Sequence, residues 1–145
     1  MALESNQTWQ IVPLPQGKKP IGCKWIYKIK YKVSGDIERF KARLVTKGYS
    51  QTEGVDYQET FSPVVKMASV RLFLSMVVVR HWPLYQLDIK NVFLPGNLEE
   101  EVYMEQPPGF VAQRESSSLV CQLRKSLYGL KQSPRAWFEK FSTVI

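Results

Sequence analysis

Two neighbouring segments alternate apolar and basic residues, and this alternation constrains the fold more than any other feature of the chain. Residues 24–32 read KWIYKIKYK and residues 39–45 read RFKARLV. A period of two is typical of a β-strand, because successive side chains of a strand point to opposite faces. The intervening SGD at 34–36 favours a turn. The sequence therefore predicts a β-hairpin with one apolar face and one strongly basic face.

The positive charge of the chain is concentrated around this hairpin. Residues 18–47 contain ten lysines and arginines but only two acids, Asp36 and Glu38, so this segment carries +8 while the whole chain carries +7. A basic block of this kind indicates a polyanionic partner. The alternative is an ordinary solvated surface, although such a surface normally mixes charges of both signs.

Outside the hairpin the pattern predicts both helices and strands, and hence an α+β fold. Residues 1–22 are rich in proline and glycine and are expected to be irregular. Ser62 and Pro63 mark a possible helix start, and residues 66–80 have helical spacing. The apolar stripe of this helix is expected to lie in the core, and it consists of Met67, Val70, Phe73, Leu74, Val77 and Val78.

The second half of the chain predicts shorter elements. LYQLDI (84–89) and EVYME (101–105) have the composition of strands, and SLVCQLRKSLYGL (118–130) that of a strand followed by a turn. A last helix is expected to start at Ser133–Pro134. Its inward face would carry Trp137, Phe138 and Phe141.

The chemistry of several site classes is excluded by composition. His81 is the only histidine, and Cys23 and Cys121 are far apart without CxxC spacing, which argues against zinc sites and histidine-based triads. The two cysteines are expected to be reduced and partly buried, as in an intracellular protein. The longest apolar run, residues 72–79, is too short for a membrane span, and no signal peptide opens the chain. A soluble protein is the expectation.

Asp88 is the strongest candidate for a catalytic group. It lies near the end of the predicted buried strand, where an acid requires a compensating partner. A magnesium ion, a basic neighbour or backbone N–H donors would each supply one. Glycine-rich phosphate loops of the GxxxxGK[ST] and GxGxxG types are absent, so basic side chains would have to hold any phosphates.

Three long blocks of the sequence resemble successive parts of one enzyme family. They are KWIYKIKYKVSGDIERFKARLVTKGYSQTEGVDYQETFSPVVKMASVR, YQLDIKNVFLPGNLEEEVYMEQPPGF and SLYGLKQSPRAWFEKF. In this order they are similar to the reverse transcriptase, an RNA-directed DNA polymerase, of Ty1/copia-type LTR retrotransposons. The similarity runs from about Asn6 to Phe141.

The resemblance implies a domain arrangement and a set of partners. Residues 1–145 would form part of a reverse transcriptase domain: a lead-in at 1–22, fingers with the basic hairpin and a helix at 23–83, and a partial palm at 84–145. Together they would form a fingers β-hairpin on an incomplete palm of strands with two helices. The implied partners are an RNA template, a DNA primer and a dNTP, with no membrane.

The resemblance also implies roles for individual residues. Asp88 matches the first catalytic aspartate, which binds Mg²⁺ with help from the Ile89 carbonyl, and Phe93 matches the aromatic gate beneath the incoming sugar. The fingers residues that grip the triphosphate are matched by Lys41 and Arg43. The family segment that lines the template and the nascent base pair is matched by Gly129, Lys131, Ser133 and Pro134. These residues also fit a plain loop that leads into a helix.

The chain departs from the family pattern at several positions. Val92 stands where alanine is usual, and Pro95 and Asn97 replace more polar residues and aspartate. The acidic run Glu99–Glu101 is interpreted as a solvated loop and not as metal ligands. The family also requires a later aspartate pair, usually in YVDD, whereas the three aspartates here are Asp36, Asp56 and Asp88.

One carboxylate cannot hold two magnesium ions together. The expectation is therefore a polymerase fragment, cut before the YVDD hairpin and inactive by itself. The alternatives are a non-catalytic nucleic-acid-binding remnant of a retrotransposon polyprotein and a remnant without activity.

Overall fold

The computed structural model describes residues 2–86, 96–110 and 119–144. It contains five strands, β1 (Trp9–Pro13), β2 (Cys23–Tyr31), β3 (Ile37–Thr46), β4 (Asn97–Met104) and β5 (Leu119–Lys125). The helices are a single turn α1 (Ala2–Ser5), α2 (Met67–Arg80) and α3 (Ser133–Ser142), with a 3₁₀ turn at Gly48–Ser50. This mixture of helices and antiparallel sheets confirms the predicted α+β class.

The larger sheet has three antiparallel strands in the order β1-β5-β4. The prediction that residues 1–22 are irregular is wrong at β1, which pairs with β5 from Trp9–Leu123 to Pro13–Leu119. The four residues WQIV are too short a run to stand out beside the prolines that follow them. Pro13 is tolerated because β1 is an edge strand, which can lack a backbone donor on its outer side.

Strands β2 and β3 form the predicted hairpin. Lys28 lies opposite Lys41 and Lys30 lies opposite Arg39, so the basic side chains of both strands share one face. The turn is closed by a 2.8 Å hydrogen bond from the Lys32 N–H to the Asp36 carbonyl. Gly35 in this turn has φ +89°, a conformation that favours glycine. Like charges directly opposite each other weaken the pairing of the two strands, so this basic face makes the hairpin less stable.

The core lies between the three-stranded sheet, the base of the hairpin and the segment after β5. Its members are buried apolar side chains: Ile21, Cys23, Leu44, Val102, Met104, Cys121, Leu123, Leu127 and Leu130. The hairpin contributes only its lower end, since Leu44 is 3% exposed whereas Tyr27 and Phe40 are each 75% exposed. The hairpin therefore projects from the core.

Helix α2 differs from its prediction in start and in burial. It begins at Met67, after an extended Lys66, and not at Pro63. The β-branched pair Val64 and Val65 gives poor helical propensity at the expected start. Its stripe was predicted to be core, but within the described residues Val77 is the only buried member of the helix. The prediction failed because the apolar residues of α2 lie on every side of the helix, so their spacing alone does not identify the side that faces the core.

The remaining predictions have mixed outcomes. Helix α3 begins at Ser133–Pro134 as expected, and Trp137, Phe138 and Phe141 are half-buried. Of the strand predicted at 84–89, residues 84–86 are neither helix nor strand and the rest lies outside the described residues. None of the helices in the described part of the chain has the length and apolarity needed to cross a membrane.

Candidate functional site

The basic face of the hairpin ends at the turn that follows β5. Val45 forms an isolated parallel β-bridge with Tyr128, and the Thr46 N–H donates a hydrogen bond to the Tyr128 carbonyl at 2.8 Å. The Thr46 hydroxyl donates to the same carbonyl at 3.1 Å. Residues 128–131 therefore continue the surface on which the hairpin places Arg43.

Two glycines allow the hairpin end and this turn to cross closely. A Cβ at Gly48 would overlap the Gly129 carbonyl oxygen, and a Cβ at Gly129 would overlap the Thr46 carbonyl oxygen. Gly129 also has φ +96°. Both space and backbone conformation therefore require glycine at 129, which gives a structural reason for this predicted site residue.

Arg43 contacts the first residue of this turn, Tyr128, and Lys131 is its last residue. The Arg43 guanidinium lies over the Tyr128 ring, 5.5 Å from its centre. The Lys131 ammonium lies 4.8 Å from the centre of the Tyr57 ring and donates to the Tyr57 hydroxyl at 3.1 Å. Aromatic faces attract cations without supplying a negative charge, so neither contact is an ion pair.

Four acids of the described residues take part in ion pairs, all with other bases. The ion pairs found there join Lys18 to Glu101, Arg39 to Glu38, and Arg135 to Glu100 and Glu139. Neither Arg43 nor Lys131 belongs to this set. Two cations held by neutral groups are suited to binding an anion such as a phosphate.

The acidic run Glu99–Glu101 is not the solvated loop that was expected. It lies within β4, where the pairing with β5 shifts between Asn97 and Val102. This bulge directs Glu100 toward α3, where its carboxylate lies 2.7 Å from Arg135. Spacing along the chain could not reveal this pairing, because its partner is 35 residues away.

Glu101 is engaged by two neighbours in the same region. The Tyr103 hydroxyl donates a hydrogen bond to its carboxylate, and Lys18 lies 3.0 Å away. Both interactions stabilise the ionised carboxylate and lower the pKa of Glu101. The same hydrogen bond raises the pKa of Tyr103.

The predicted site residues are only partly brought together. Lys41 and Arg43 share the basic face of β3, and Arg43 meets the turn that contains Gly129 and Lys131. Ser133 is 1% exposed and its hydroxyl donates to the Leu127 carbonyl at 2.5 Å, whereas Pro134 is exposed. The side chain of Ser133 therefore anchors the start of α3.

The predicted metal ligands and the sugar gate, Asp88, Ile89 and Phe93, lie outside the described residues. Their roles stay predictions. Across 2–86, 96–110 and 119–144, no group of three or more histidine, cysteine, aspartate or glutamate residues is arranged to hold a metal ion.

The prediction from sequence missed the residues that hold Lys131 in place. Gln51 and Tyr57 lie in the loop after β3, and Gln132 follows Lys131 directly. No periodic pattern marks them, because their hydrogen bonds join parts of the chain about 80 residues apart. Tyr128 had a weak signal: it is an aromatic residue beside a glycine, in a chain with a strongly basic strand.

Comparison with known proteins finds relatives over almost the whole chain. The family model described as reverse transcriptase (RNA-dependent DNA polymerase) matches residues 6–145. The chain is 52% identical over 141 residues to the retrovirus-related Pol polyprotein from transposon RE2 of Arabidopsis thaliana, and the match covers 97% of this chain and 10% of that protein. It is 54% identical over 134 residues to the corresponding polyprotein from transposon RE1 of the same plant, with 92% and 9% covered.

A third relative comes from tobacco. The Pol polyprotein from transposon TNT 1-94 of Nicotiana tabacum is 50% identical over 144 residues, which cover 99% of this chain and 11% of that protein. The chain thus spans about a tenth of the length of these relatives. No solved structure matches the chain. The chain belongs to the reverse transcriptase family, and its relatives are Pol polyproteins of Ty1/copia-type retrotransposons.

Proposed function

We propose that these 145 residues form the nucleotide-gripping fingers and the first part of the palm of an RNA-directed DNA polymerase. The observation that carries this proposal is the pair of cations, Arg43 and Lys131, at the two ends of the Tyr128–Lys131 turn. Both lie against neutral partners, at the end of the basic face of the hairpin. Membership of the reverse transcriptase family supplies the reaction class.

The cations would bind the triphosphate of an incoming dNTP. Arg43 presents a planar fork of N–H donors that matches two phosphate oxygens, and Lys131 contributes a point charge. Lys41 lies on the same face of β3 as Arg43, two residues away. These basic side chains take the place of a glycine-rich phosphate loop, which the sequence lacks.

The rest of the basic face would hold nucleic acid. Lys28 lies opposite Lys41, and Lys30 opposite Arg39, so the hairpin carries a row of positive charge away from the turn. An RNA template paired with a DNA primer is the polyanion that the family implies. Pro134, exposed at the start of α3, would lie beside the template, with Ser133 holding that helix start in position.

The chemical step would require groups that the described residues do not include. Asp88 with the Ile89 carbonyl would bind Mg²⁺, and Phe93 would lie beneath the incoming sugar. When bound, Mg²⁺ ions would activate the primer hydroxyl and stabilise the leaving pyrophosphate. The 145 residues contain no aspartate after Asp88 in the sequence, so we expect no polymerisation by this chain alone.

Nucleotide binding tests the proposal directly. The dissociation constant of dTTP with Mg²⁺ would be measured for the unchanged chain and for Arg43→Ala, Lys131→Ala and Lys140→Ala. Loss of one charge-assisted contact is expected to weaken binding about tenfold at Arg43 or Lys131. Lys140 is exposed on α3, and its variant is the control for a change in net charge. Equal weakening by all three variants would contradict the proposal.

Primer extension tests the expected inactivity. The 145-residue chain would be added to a primed RNA template with Mg²⁺ and dNTPs, and no extension is expected. Extension that disappears in Asp88→Ala would show that this chain holds a complete catalytic site.

A second candidate function is nucleic-acid binding without catalysis. The basic face of the hairpin favours it, because a row of lysines and arginines binds phosphates of any sequence. A chain of this kind would bind single-stranded RNA with a strong dependence on salt, and dTTP at millimolar concentration would not compete.

A further inference from the structure

We infer that Gln51 is a positioning residue that directs the Lys131 ammonium toward the triphosphate. This inference rests on the proposed function. Gln51 lies five residues beyond the end of β3, and it is 5% exposed. It contacts both ends of Lys131.

The side chain of Gln51 holds the main chain of Lys131. Its Oε1 accepts a 2.9 Å hydrogen bond from the Lys131 backbone N–H. Its Nε2 donates to the Gln132 Oε1 at 3.0 Å, and the Gln132 Nε2 donates to the Asp56 carbonyl at 3.2 Å. The amide that accepts one bond donates the next, so the three bonds form one continuous chain that links the 51–56 loop and the turn, and each strengthens the next.

The main chain of Gln51 holds the side chain of Lys131. The Lys131 ammonium donates to the Gln51 carbonyl at 3.3 Å and to the Tyr57 hydroxyl at 3.1 Å. An ammonium group has three N–H donors. Two neutral acceptors from one loop therefore fix the direction of the group and bring no negative charge to it.

Packing alone does not explain a glutamine at this position. Gln132 is fully buried and Gln51 nearly so. Replacing both amides by apolar side chains of the same shape would fill the same volume but would remove the partners of the Lys131 N–H and the Asp56 carbonyl, and burying such groups unpaired is destabilising. What the amides add is direction, since their hydrogen bonds specify one register between the loop and the turn.

The loop also connects Lys131 to the basic strand. Residues 47–57 follow β3 directly, cross the turn at Gly48 and Gly129, and then return to Lys131 through Gln51 and Tyr57. The loop thus fixes the position of Lys131 relative to Arg43, which lies over Tyr128 at the first residue of the same turn. A triphosphate bound by both cations requires this fixed separation.

A double-mutant cycle tests the inference in the 145-residue chain. The dissociation constant of dTTP with Mg²⁺ would be measured for Gln51→Leu, Lys131→Ala and the double variant. If Gln51 acts through Lys131, Gln51→Leu weakens binding about fivefold in the unchanged chain and has almost no further effect beside Lys131→Ala. A purely structural role would give the same weakening in both backgrounds, and that result would overturn the inference.

Gln122→Leu is the matched control. Gln122 lies on β5 and forms an amide–amide hydrogen bond with Gln10 across the β1–β5 pair, and this bond involves no residue of the turn. Its removal takes away the same kind of bond, and the affinity for dTTP is expected to stay unchanged. Weakening as large as that of Gln51→Leu would show a general effect of lost amide bonds and would overturn the inference.

Tyr57→Phe keeps the test decisive if Gln51→Leu fails to fold. The variant retains the aromatic ring beneath Lys131 and removes only the hydroxyl that accepts its hydrogen bond. We expect a loss of affinity of about twofold that disappears beside Lys131→Ala. A silent Tyr57→Phe, or a loss that persists in the double variant, would overturn the inference. If Lys131→Ala itself leaves dTTP binding unchanged, the proposed nucleotide site at Lys131 fails, and this is visible in the single variant.

Discussion

Arg135 and Glu100 form the ion pair with the least exposed side chains among the described residues, at 15% and 12%. Their contact is 2.7 Å, yet the Glu100 Oε2 and the Arg135 Nε have no hydrogen-bond partner. A buried pair of this kind contributes little net stability, but removing one partner leaves an uncompensated buried charge.

We therefore expect Arg135→Met to lower the free energy of unfolding by about 3 kcal/mol. The double variant with Glu100→Gln should recover part of this loss, because no buried carboxylate then remains. Urea denaturation followed by circular dichroism measures both. Glu139→Gln is the control: Glu139 lies 3.9 Å from Arg135 but is half exposed, and its loss should change stability by less than about 0.5 kcal/mol. A cost at Glu139 equal to that at Arg135 would contradict this account.

The two cysteines provide a prediction about alkaline pH. Burial raises the pKa of Cys23 to about 11, with Glu105 adding to the effect, and burial together with Cys23 raises the pKa of Cys121 to about 12. The unfolded thiols titrate near 8.5, roughly the value of a free cysteine. Because the folded chain holds these protons more tightly, their contribution to stability is complete below about pH 8.5 and is lost as pH rises toward about 11 for Cys23 and about 12 for Cys121.

The raised pKa values should also slow the alkylation of the two thiols in the folded chain. At pH 8 the folded chain should react with iodoacetamide far more slowly than the chain in 6 M urea, since the thiolate is the reacting species. Mass spectrometry counts the modified thiols. Equal rates in the folded and unfolded chain would show that the thiols are not buried.

At the scale of secondary-structure elements, local signals were predictable from sequence and distant pairings were not. The hairpin and the start of α3 followed from alternation and from Ser133–Pro134, both of which are features of adjacent residues. Strand β1 was missed because its identity depends on β5, more than a hundred residues away. The same reason separates Arg43, whose face was predictable, from Gln51, whose partners lie across the fold.

Helix α2 is the clearest case of a local pattern without a tertiary consequence. Its helical state was predictable, but its surroundings were not, because apolar residues occupy every side. Leu72 is 65% exposed and Val79 is 75% exposed, whereas Val77 is 7% exposed. An apolar surface of this kind favours association between molecules.

We expect Leu72→Lys with Val79→Lys to reduce concentration-dependent association without lowering the free energy of unfolding by more than about 0.5 kcal/mol. Analytical ultracentrifugation over a range of concentrations and urea denaturation measure the two effects. Val77→Lys is the contrasting variant, because a buried lysine without a partner should be strongly destabilising. If the exposed pair destabilised the chain as much as Val77→Lys, α2 would be packed in solution on all sides.

At the scale of the whole molecule, the distribution of charge matters more than its total. The chain carries +7, and the segment around the hairpin accounts for all of it. Binding to single-stranded RNA releases counterions in proportion to the phosphates contacted, with a log–log slope against salt of about 0.7 for each. A face that binds RNA should therefore respond to where a charge is removed.

Lys28→Gln with Lys30→Gln removes two charges from the basic face, and Lys19→Gln with Lys140→Gln removes two from other exposed positions. Both variants have the same net charge. We expect the first to reduce the salt slope by about 1.4 and the second to leave it nearly unchanged. The slopes would be measured by fluorescence anisotropy with labelled single-stranded RNA at roughly 50 to 300 mM salt, where the loss of single phosphate contacts changes the affinity measurably. Equal reductions would mean that RNA responds to the total charge of the molecule, and the hairpin would then have no special place in binding.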